Sequence, residues 1–494
     1  MNKIIQVTIC MFCIALSSEI FAKEIQNTNS SPIKDGQGRI LYIVDLIDNA
    51  TLGYSEGEAD IIPESLDDKD GLPKWHKPEM RRLARDMSKQ FDFIPVNIAS
   101  WVGNTIIAFL TPHQVAELQK DSRVALITQD SIVEMSSGWM DSTIGNETTS
   151  WGIIAVGGGI QINHSGTGIT VYVLDTGVGY HADLGGFNSS QVQRFNPNFY
   201  TSNHVKYPAN TVGCYAHATH VAGIIGAQAN GIVTKGVNPG VPIVSVGTRT
   251  APNGNPNLCS GGDTIDSYVI AGMDLIMQKI ATSTSGKPGI VNISMNNSMG
   301  LYKYGQTLGN KLFVLSQPGL KYINGQLTAY PGAFVAQSAG NDYKDACNFA
   351  FDGFNHQGAN IYDGIMVVGA IMSNGFPVQK PVSGNGFINF PYAGDGAGSN
   401  YGRCVDVWAP GNIIKSTWAS TVSPYTQLSN VSYNNYVNLS GTSMAAPHIA
   451  GVAAYLAETL NLITPQQIEA AVRAHFIWLG NYDTDWYPVN MPVL

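Results

Sequence analysis

The chain of 494 residues, 44% of them hydrophobic, is long enough for about two to four domains and a sizeable core. Its 27 basic and 36 acidic residues give a net charge of −9, which argues against a nucleic acid or an anionic membrane surface as partner. Only 13% of residues are charged and 53 are glycine, a balance that excludes a disordered chain and fits a loop-rich globular protein.

Met1-Asn2-Lys3 precedes an apolar run from Ile4 to Leu16 and then Ser17-Ser18-Glu19-Ile20-Phe21-Ala22. This is the pattern of a secretory signal peptide over residues 1–22, cleaved after Ala22, because the run is too short to span a bilayer well. No other stretch is long and apolar enough to span, so an exported protein with no membrane association is expected. Cys10 and Cys13 leave with the signal. Cys214, Cys259, Cys347 and Cys404 remain, an even set in an oxidising compartment with three pairings open. No two of them have the close spacing of zinc ligands.

Residues 23–137 read as a first, small α+β unit. Arg39 to Leu46 predicts a strand, Pro78 to Gln90 a helix and Asn104 to Leu110 a second strand. Thr111 then caps a helix that starts at Pro112 and runs to Lys120, and Val124 to Asp130 predicts a third strand. From residue 131 to 150 the composition turns to Ser, Thr, Gly and Asn, and 138–150 is read as the linker that opens a second domain, 138–494.

From residue 165 onward apolar strands alternate with helical runs. Ile169 to Asp175, Ile243 to Gly247, Gly289 to Ser294, Ala333 to Ser338 and Ile365 to Ala370 predict strands. His217 to Gly226, Asp263 to Ala281 and Thr442 to Leu460 predict helices, and Thr464-Pro465 starts a last one through Ala474, after which no further domain is expected. The alternation implies an α/β fold, a parallel sheet covered by helices on both faces. Ligand sites in such sheets lie beyond the carboxyl ends of the strands. Residues 251–262 and 371–400 read as Gly/Asn/Pro-rich loops, and Gly157-Gly158-Gly159 as an isolated turn.

Four stretches carry chemistry. Val171-Tyr172-Val173-Leu174-Asp175-Thr176-Gly177 is a buried strand ending in a carboxylate. His217-Ala218-Thr219-His220 opens an apolar helix, and Ser338-Ala339-Gly340-Asn341 closes a strand. In Ser440-Gly441-Thr442-Ser443-Met444-Ala445-Ala446-Pro447-His448, Ser443 sits where a helix begins, among small residues that let a substrate backbone approach. Free N–H groups and the positive dipole end favour developing negative charge there. A serine hydroxyl is a weak nucleophile that needs a base in reach, and the base needs an orienting partner. An aspartic-protease reading of Asp175-Thr176-Gly177 fails because no second Asp-Thr-Gly or Asp-Ser-Gly exists to share a proton. His217 and His220 as a metal pair lack the Glu-containing metalloprotease motif.

Together the four stretches resemble the subtilisin-like serine proteases, most closely the proteinase K-like secreted branch, over roughly residues 30 to 480. The resemblance implies a parallel-sheet catalytic domain and a secreted serine endopeptidase acting on polypeptides. In it Asp175 orients His217, His217 is the base, Ser443 the nucleophile and Asn341 the oxyanion donor, with no catalytic cofactor. Ser294, Met295 and Asn296, with Ser338, Ala339 and Gly340, would bind substrate. Asn296 stands where many members have Gly, and Ala218 where the family has Gly; the first should crowd the subsite, the second could tilt His217. His220 and His448 are expected to be structural. The first unit resembles the inhibitory propeptide, with a processing site between Val133 and Ser150, the protein being its own intramolecular partner and a monomer. Ser131 to Met135, following the third strand, is expected to extend toward the cleft and lie along the Ser294 to Asn296 edge as a product-like strand. The resemblance also pairs Cys214 with Cys259 and Cys347 with Cys404. It implies a structural calcium held by Asp406 with the carbonyls of Asp363 and Ile365. An esterase using the same machinery, or a binding module with damaged catalysis, are the rival readings.

Overall fold

The computed structural model describes residues 25–26, 32–51, 76–135, 149–186, 190–195, 216–248, 264–297, 305–323, 326–351, 362–378, 398–419, 435–481 and 488–494. The signal segment 1–22, Cys214 and Cys259, and most of the linker lie outside the described residues.

The first unit comprises strands β1 (Ile25–Gln26), β2 (Ile40–Leu46), β3 (Pro95–Ala99), β4 (Thr105–Leu110), β5 (Val124–Gln129) and β6 (Ile132–Met135), with helices α1 (Pro78–Phe91) and α2 (Pro112–Leu118). Five strands form one sheet in the order β1-β5-β2-β4-β3. Helix α1 places Met80, Leu83, Ala84 and Met87 along one stripe, the spacing of a helix with one buried face. They pack on Val44, Ile98, Ile106 and Ile127. Helix α2 starts as its residues dictate: the Thr111 hydroxyl accepts the N–H of Gln114, whose side chain accepts the N–H of Thr111. Strand β3 escapes the sequence reading because it is a short edge strand opening on proline.

The second unit contains α3 (Trp151–Ala155), β7 (Val171–Asp175), β8 (Val192–Phe195), α4 (Ala216–Gly226), β9 (Ile243–Gly247), β10 (Thr264–Ile265), α5 (Asp266–Ala281), β11 (Gly289–Ile293), β12 (Met295–Asn297) and α6 (Gly305–Ser316). It continues through the hairpin β13 (Gly319–Ile323) and β14 (Gln326–Tyr330), then β15 (Ala333–Ser338), β16 (Ile365–Ile371) and β17 (Val407–Pro410). A second hairpin, β18 (Ile414–Trp418) and β19 (Asn435–Leu439), leads to α7 (Thr442–Thr459) and α8 (Pro465–Ala474), and β20 (Phe476–Asn481) with β21 (Pro488–Pro492) follow. Seven strands form the central sheet in the order β17-β16-β15-β11-β7-β9-β8, every pair parallel. The alternation of side chains assigns its two faces. Val171 and Val173 of β7 join the core under α4 and α7, while Tyr172 and Leu174 join the core under α5 and α6. A strand buried on both faces reads as an unbroken apolar run, which is why these were legible.

Two expected elements are subdivided. The run Gly289 to Ser294 stops as a sheet strand at Ile293 and resumes as β12 outside the sheet, and the helix expected from Asp263 begins at Asp266 because Thr264 and Ile265 pair with β6 instead. Strand β6, expected to lie along the edge of Ser294 to Asn296, pairs there with β12 and on its other side with β10, antiparallel to both. The first unit rests on α5. Ile43, Ala99, Trp101 and Val102 enter the α5–α6 core, and Asp274 accepts the N–H groups of Ser100, Trp101 and Val102.

Candidate active site

Beyond the carboxyl edge of the central sheet, β7 delivers Asp175, β11 ends just before Ser294, and β15 leads into Asn341. Helices α4 and α7, packed on each other, begin at the same edge with His217 in the first turn of one and Ser443 in the first turn of the other.

Asp175 is fully buried, and its Oδ1 accepts the N–H and hydroxyl of Thr176. Both carboxylate oxygens stand 3.0 Å from His217 Nδ1. A ring nitrogen facing a carboxylate carries the proton, so the imidazole is held with Nε2 as its basic atom. This contact is made with Ala218 in place; its methyl is buried in the core under α4.

Ser443 is buried at the start of α7, and its hydroxyl donates to the carbonyl of Ser294 at 3.1 Å rather than to His217. The Ser294 hydroxyl in turn donates to the Ser443 carbonyl at 3.0 Å. That carbonyl would ordinarily accept the N–H four residues on, but the residue there is Pro447, which has none. Ser294 thus completes the helix and ties the Ser443 backbone to the neighbouring strand.

Asn341 Oδ1 accepts the N–H and the hydroxyl of Thr442, each at 2.9 Å. Because a backbone N–H can only donate, the side-chain atom facing it is the oxygen, and the amide nitrogen is turned the other way as a donor. Gly441, at φ 147°, makes this approach possible: a Cβ there would lie 3.2 Å from Asn341 Nδ2. The turn carrying Asn341 is held from behind by Asn400, which is buried. Its Oδ1 accepts the N–H groups of Asp342 and Lys344, its Nδ2 donates to the Ala339 carbonyl, and its N–H donates to Gly340. The sequence reading missed Asn400, which lies at the end of a stretch legible only as loop. The disulfide between Cys347 and Cys404 braces the same turn, its sulfurs packed with Ala339 and Ala346.

His220 and His448 bond backbone carbonyls rather than the Ser443 hydroxyl. His220 Nε2 donates to the carbonyls of Ile414 and Val437, pinning α4 to the β18–β19 hairpin, and burial pushes its pKa down to about 3. His448 Nδ1 donates to Met444, and burial lowers its pKa to about 4. Both rings stay neutral.

Ser294, Met295 and Asn296 run beside Ser338, Ala339 and Gly340, all six buried. Main-chain pairing along β12 is used by β6, with Met135 opposite Met295 and Glu134 opposite Asn296.

Two of the residues expected to hold calcium have protein partners here. Asp406 Oδ1 accepts Arg473 Nη2 at 2.7 Å and its Oδ2 accepts the N–H of Val367 at 2.9 Å. The Asp363 carbonyl accepts Gln317 Nε2 at 2.9 Å. The Arg473 guanidinium lies between Asp406 and Glu469, 2.7 Å from an oxygen of each.

Compared with known proteins, residues 166–476 match the model of the subtilase family. The alkaline serine exoprotease A of Vibrio alginolyticus is 30% identical over 375 residues, which are 74% of this chain and 54% of that protein, so the chain spans about half that relative's length. The extracellular serine proteinase of Thermus sp. (strain Rt41A) is 28% identical over 368 residues, covering 74% of this chain and 69% of that one. Among solved structures, that of a cold adapted subtilisin-like serine proteinase covers 70% of this chain and 97% of the other, with 25% identity and a TM-score of 0.44.

Proposed function

The chain belongs to the subtilase family, and from that premise we propose that it is a secreted serine endopeptidase, synthesised as a precursor that cleaves itself. The observation that carries the reading is the contact of His217 Nδ1 with both oxygens of buried Asp175, beside a serine at a helix start. The Ser443 hydroxyl swings from Ser294 to the imidazole, gives its proton to His217 Nε2 and attacks the peptide carbonyl carbon. Asp175 stabilises the imidazolium that forms. The tetrahedral oxyanion accepts from Asn341 Nδ2 and gains from the positive end of α7. His217 returns the proton to the leaving amine as the C–N bond breaks, and water, deprotonated by the same imidazole, then releases the acyl group from Ser443.

Substrate is gripped as an added strand on β12, a mode that reads main chain and suits any extended polypeptide. The first unit supports the precursor reading because its β6 already occupies that position. A labelled protein substrate tests the activity: Ser443→Ala is expected to lower kcat by about 10⁶-fold, and retention of activity overturns the proposal. Purified Ser443→Ala, with no other protease present, is expected to remain one chain from about Lys23 to Leu494 while the parent shortens. Normal processing of that variant sinks self-cleavage.

A further inference from the structure

Strands β11 and β15 are hydrogen-bonded neighbours in the central sheet, and both run on past its carboxyl edge. There the chain of Ser294 to Asn296 and that of Ser338 to Gly340 run beside Ser443, whose first turn touches both: Ser294 through its carbonyl and hydroxyl, Gly340 through its N–H to Thr442 Oγ1 at 3.1 Å. The space between these two segments is the crevice in question. A peptide paired along β12 with its reacting carbonyl over Ser443 directs the side chain on the acyl side of that carbonyl into this crevice.

The crevice is spanned by one side chain. Asn296 Nδ2 donates to the Ser338 carbonyl, and Ser338 Oγ donates to Asn296 Oδ1 at 2.9 Å. Asn296 is 4% exposed and Ser338 is fully buried. A Cβ built on Gly340 would come within 3.5 Å of Asn296 Cγ, so the amide reaches across to the facing wall. Both ends of the amide are satisfied where they lie, and moving it aside leaves buried donors and acceptors unpaired. Glycine in its place would leave the crevice open between its two walls.

We propose that Asn296 is a specificity-determining residue that closes this crevice and restricts the residue before the scissile bond to small side chains: Gly, Ala or Ser. The inference rests on the serine endopeptidase reading and deepens it. The chain's own sequence agrees independently. Strand β6 runs antiparallel to β12 and therefore toward Ser294 and Ser443, and the residues that follow its last one are Ser136-Ser137-Gly138, three small side chains in succession.

The test compares two fluorogenic peptides identical except for Ala or Phe before the cleaved bond, with the expressed full chain after it has processed. Active-site titration with a fluorophosphonate that labels Ser443 sets the concentration. The parent is expected to favour the Ala peptide in kcat/KM by about 100-fold, and Asn296→Gly and Asn296→Ala to cut that preference by about 10-fold or more. Two variants are used because glycine alone could loosen β12. A labelled parent that cleaves the Phe peptide as well as the Ala peptide, or a preference unchanged in both labelled variants, overturns the inference and leaves the endopeptidase reading standing. A parent that is neither labelled nor active on either peptide overturns that reading and the inference with it.

Discussion

At the scale of single residues, the site depends on polar atoms whose partners leave one role open. Asn341 spends its oxygen on Thr442 and keeps its amide nitrogen as donor, so Asn341→Ala is expected to lower kcat by about 10²–10³-fold with little change in KM. Steady-state kinetics on one peptide substrate read this split, and a KM effect alone would assign Asn341 to binding. Ser294 is the reciprocal partner of the Ser443 backbone. Ser294→Ala removes the donor that compensates for Pro447 and leaves the buried Ser443 carbonyl unpaired, at a cost of about 1–3 kcal/mol. Urea unfolding in a Ser443→Ala background, free of self-digestion, measures it.

At the scale of elements, the junction between the first unit and α5 is built on acidic groups. Asp130 Oδ1 accepts the N–H groups of Ser131 and Ser267, and the Ser131 hydroxyl donates to Asp266 at 2.6 Å. One oxygen on each carboxyl, Asp130 Oδ2 and Asp266 Oδ1, is buried without a hydrogen bond, and among the described residues no cation pairs with either. Burial pushes both upward, Asp130 to about 7 and Asp266, which also feels the Asp130 charge, to about 8. The packed state therefore holds protons that separated units would release near pH 4. The contact is strongest below the ordinary carboxylate range and weakens as pH rises from about 4 to about 8, above which both states are ionised and the loss is complete. Hydrogen exchange of residues 124–135 in Ser443→Ala should speed up across that window beyond the intrinsic chemical trend, and Asp130→Asn should remove most of the excess. Uniform protection to pH 9 would contradict the assignment.

At the scale of the whole molecule, two cross-links join segments remote in the chain. The Cys347–Cys404 disulfide closes a separation of 57 residues, worth about 4 kcal/mol in the chain-entropy picture. Denaturant unfolding of a Cys347→Ser, Cys404→Ser double variant against its parent checks that figure. The second is ionic. Arg473 on α8 bonds Glu469 on its own helix and Asp406 just before β17, while Glu469 accepts the N–H of Gly364. Removing the guanidinium strands two largely buried carboxylates, so Arg473→Ala is expected to cost about 3 kcal/mol in the same measurement.

The alternation of apolar runs and helical stretches, the carboxylate at the end of β7 and the serine at the start of α7 were legible in the sequence. Each depends on local residue order: an unbroken apolar strand must be buried on both faces, and small residues before an Ala-rich run must form a helix start. What the tertiary structure decided are relations between segments far apart in the chain. Pro447 is only a helix residue until Ser294 is seen to answer for its missing N–H. Asn400 is loop until its amide is found behind the Asn341 turn. Asn296 predicted a crowded subsite, but which wall its amide would bond was open until β12 and β15 were placed side by side. That Asp406 bonds a guanidinium is visible only once Arg473, 67 residues away, is placed beside it. That Ser131 to Met135 would extend along the Ser294 to Asn296 edge was legible, but that Thr264 and Ile265 would close on its other side was not. Backbone and charge are satisfied by whatever the fold brings near, and nearness of that kind is not written in local sequence.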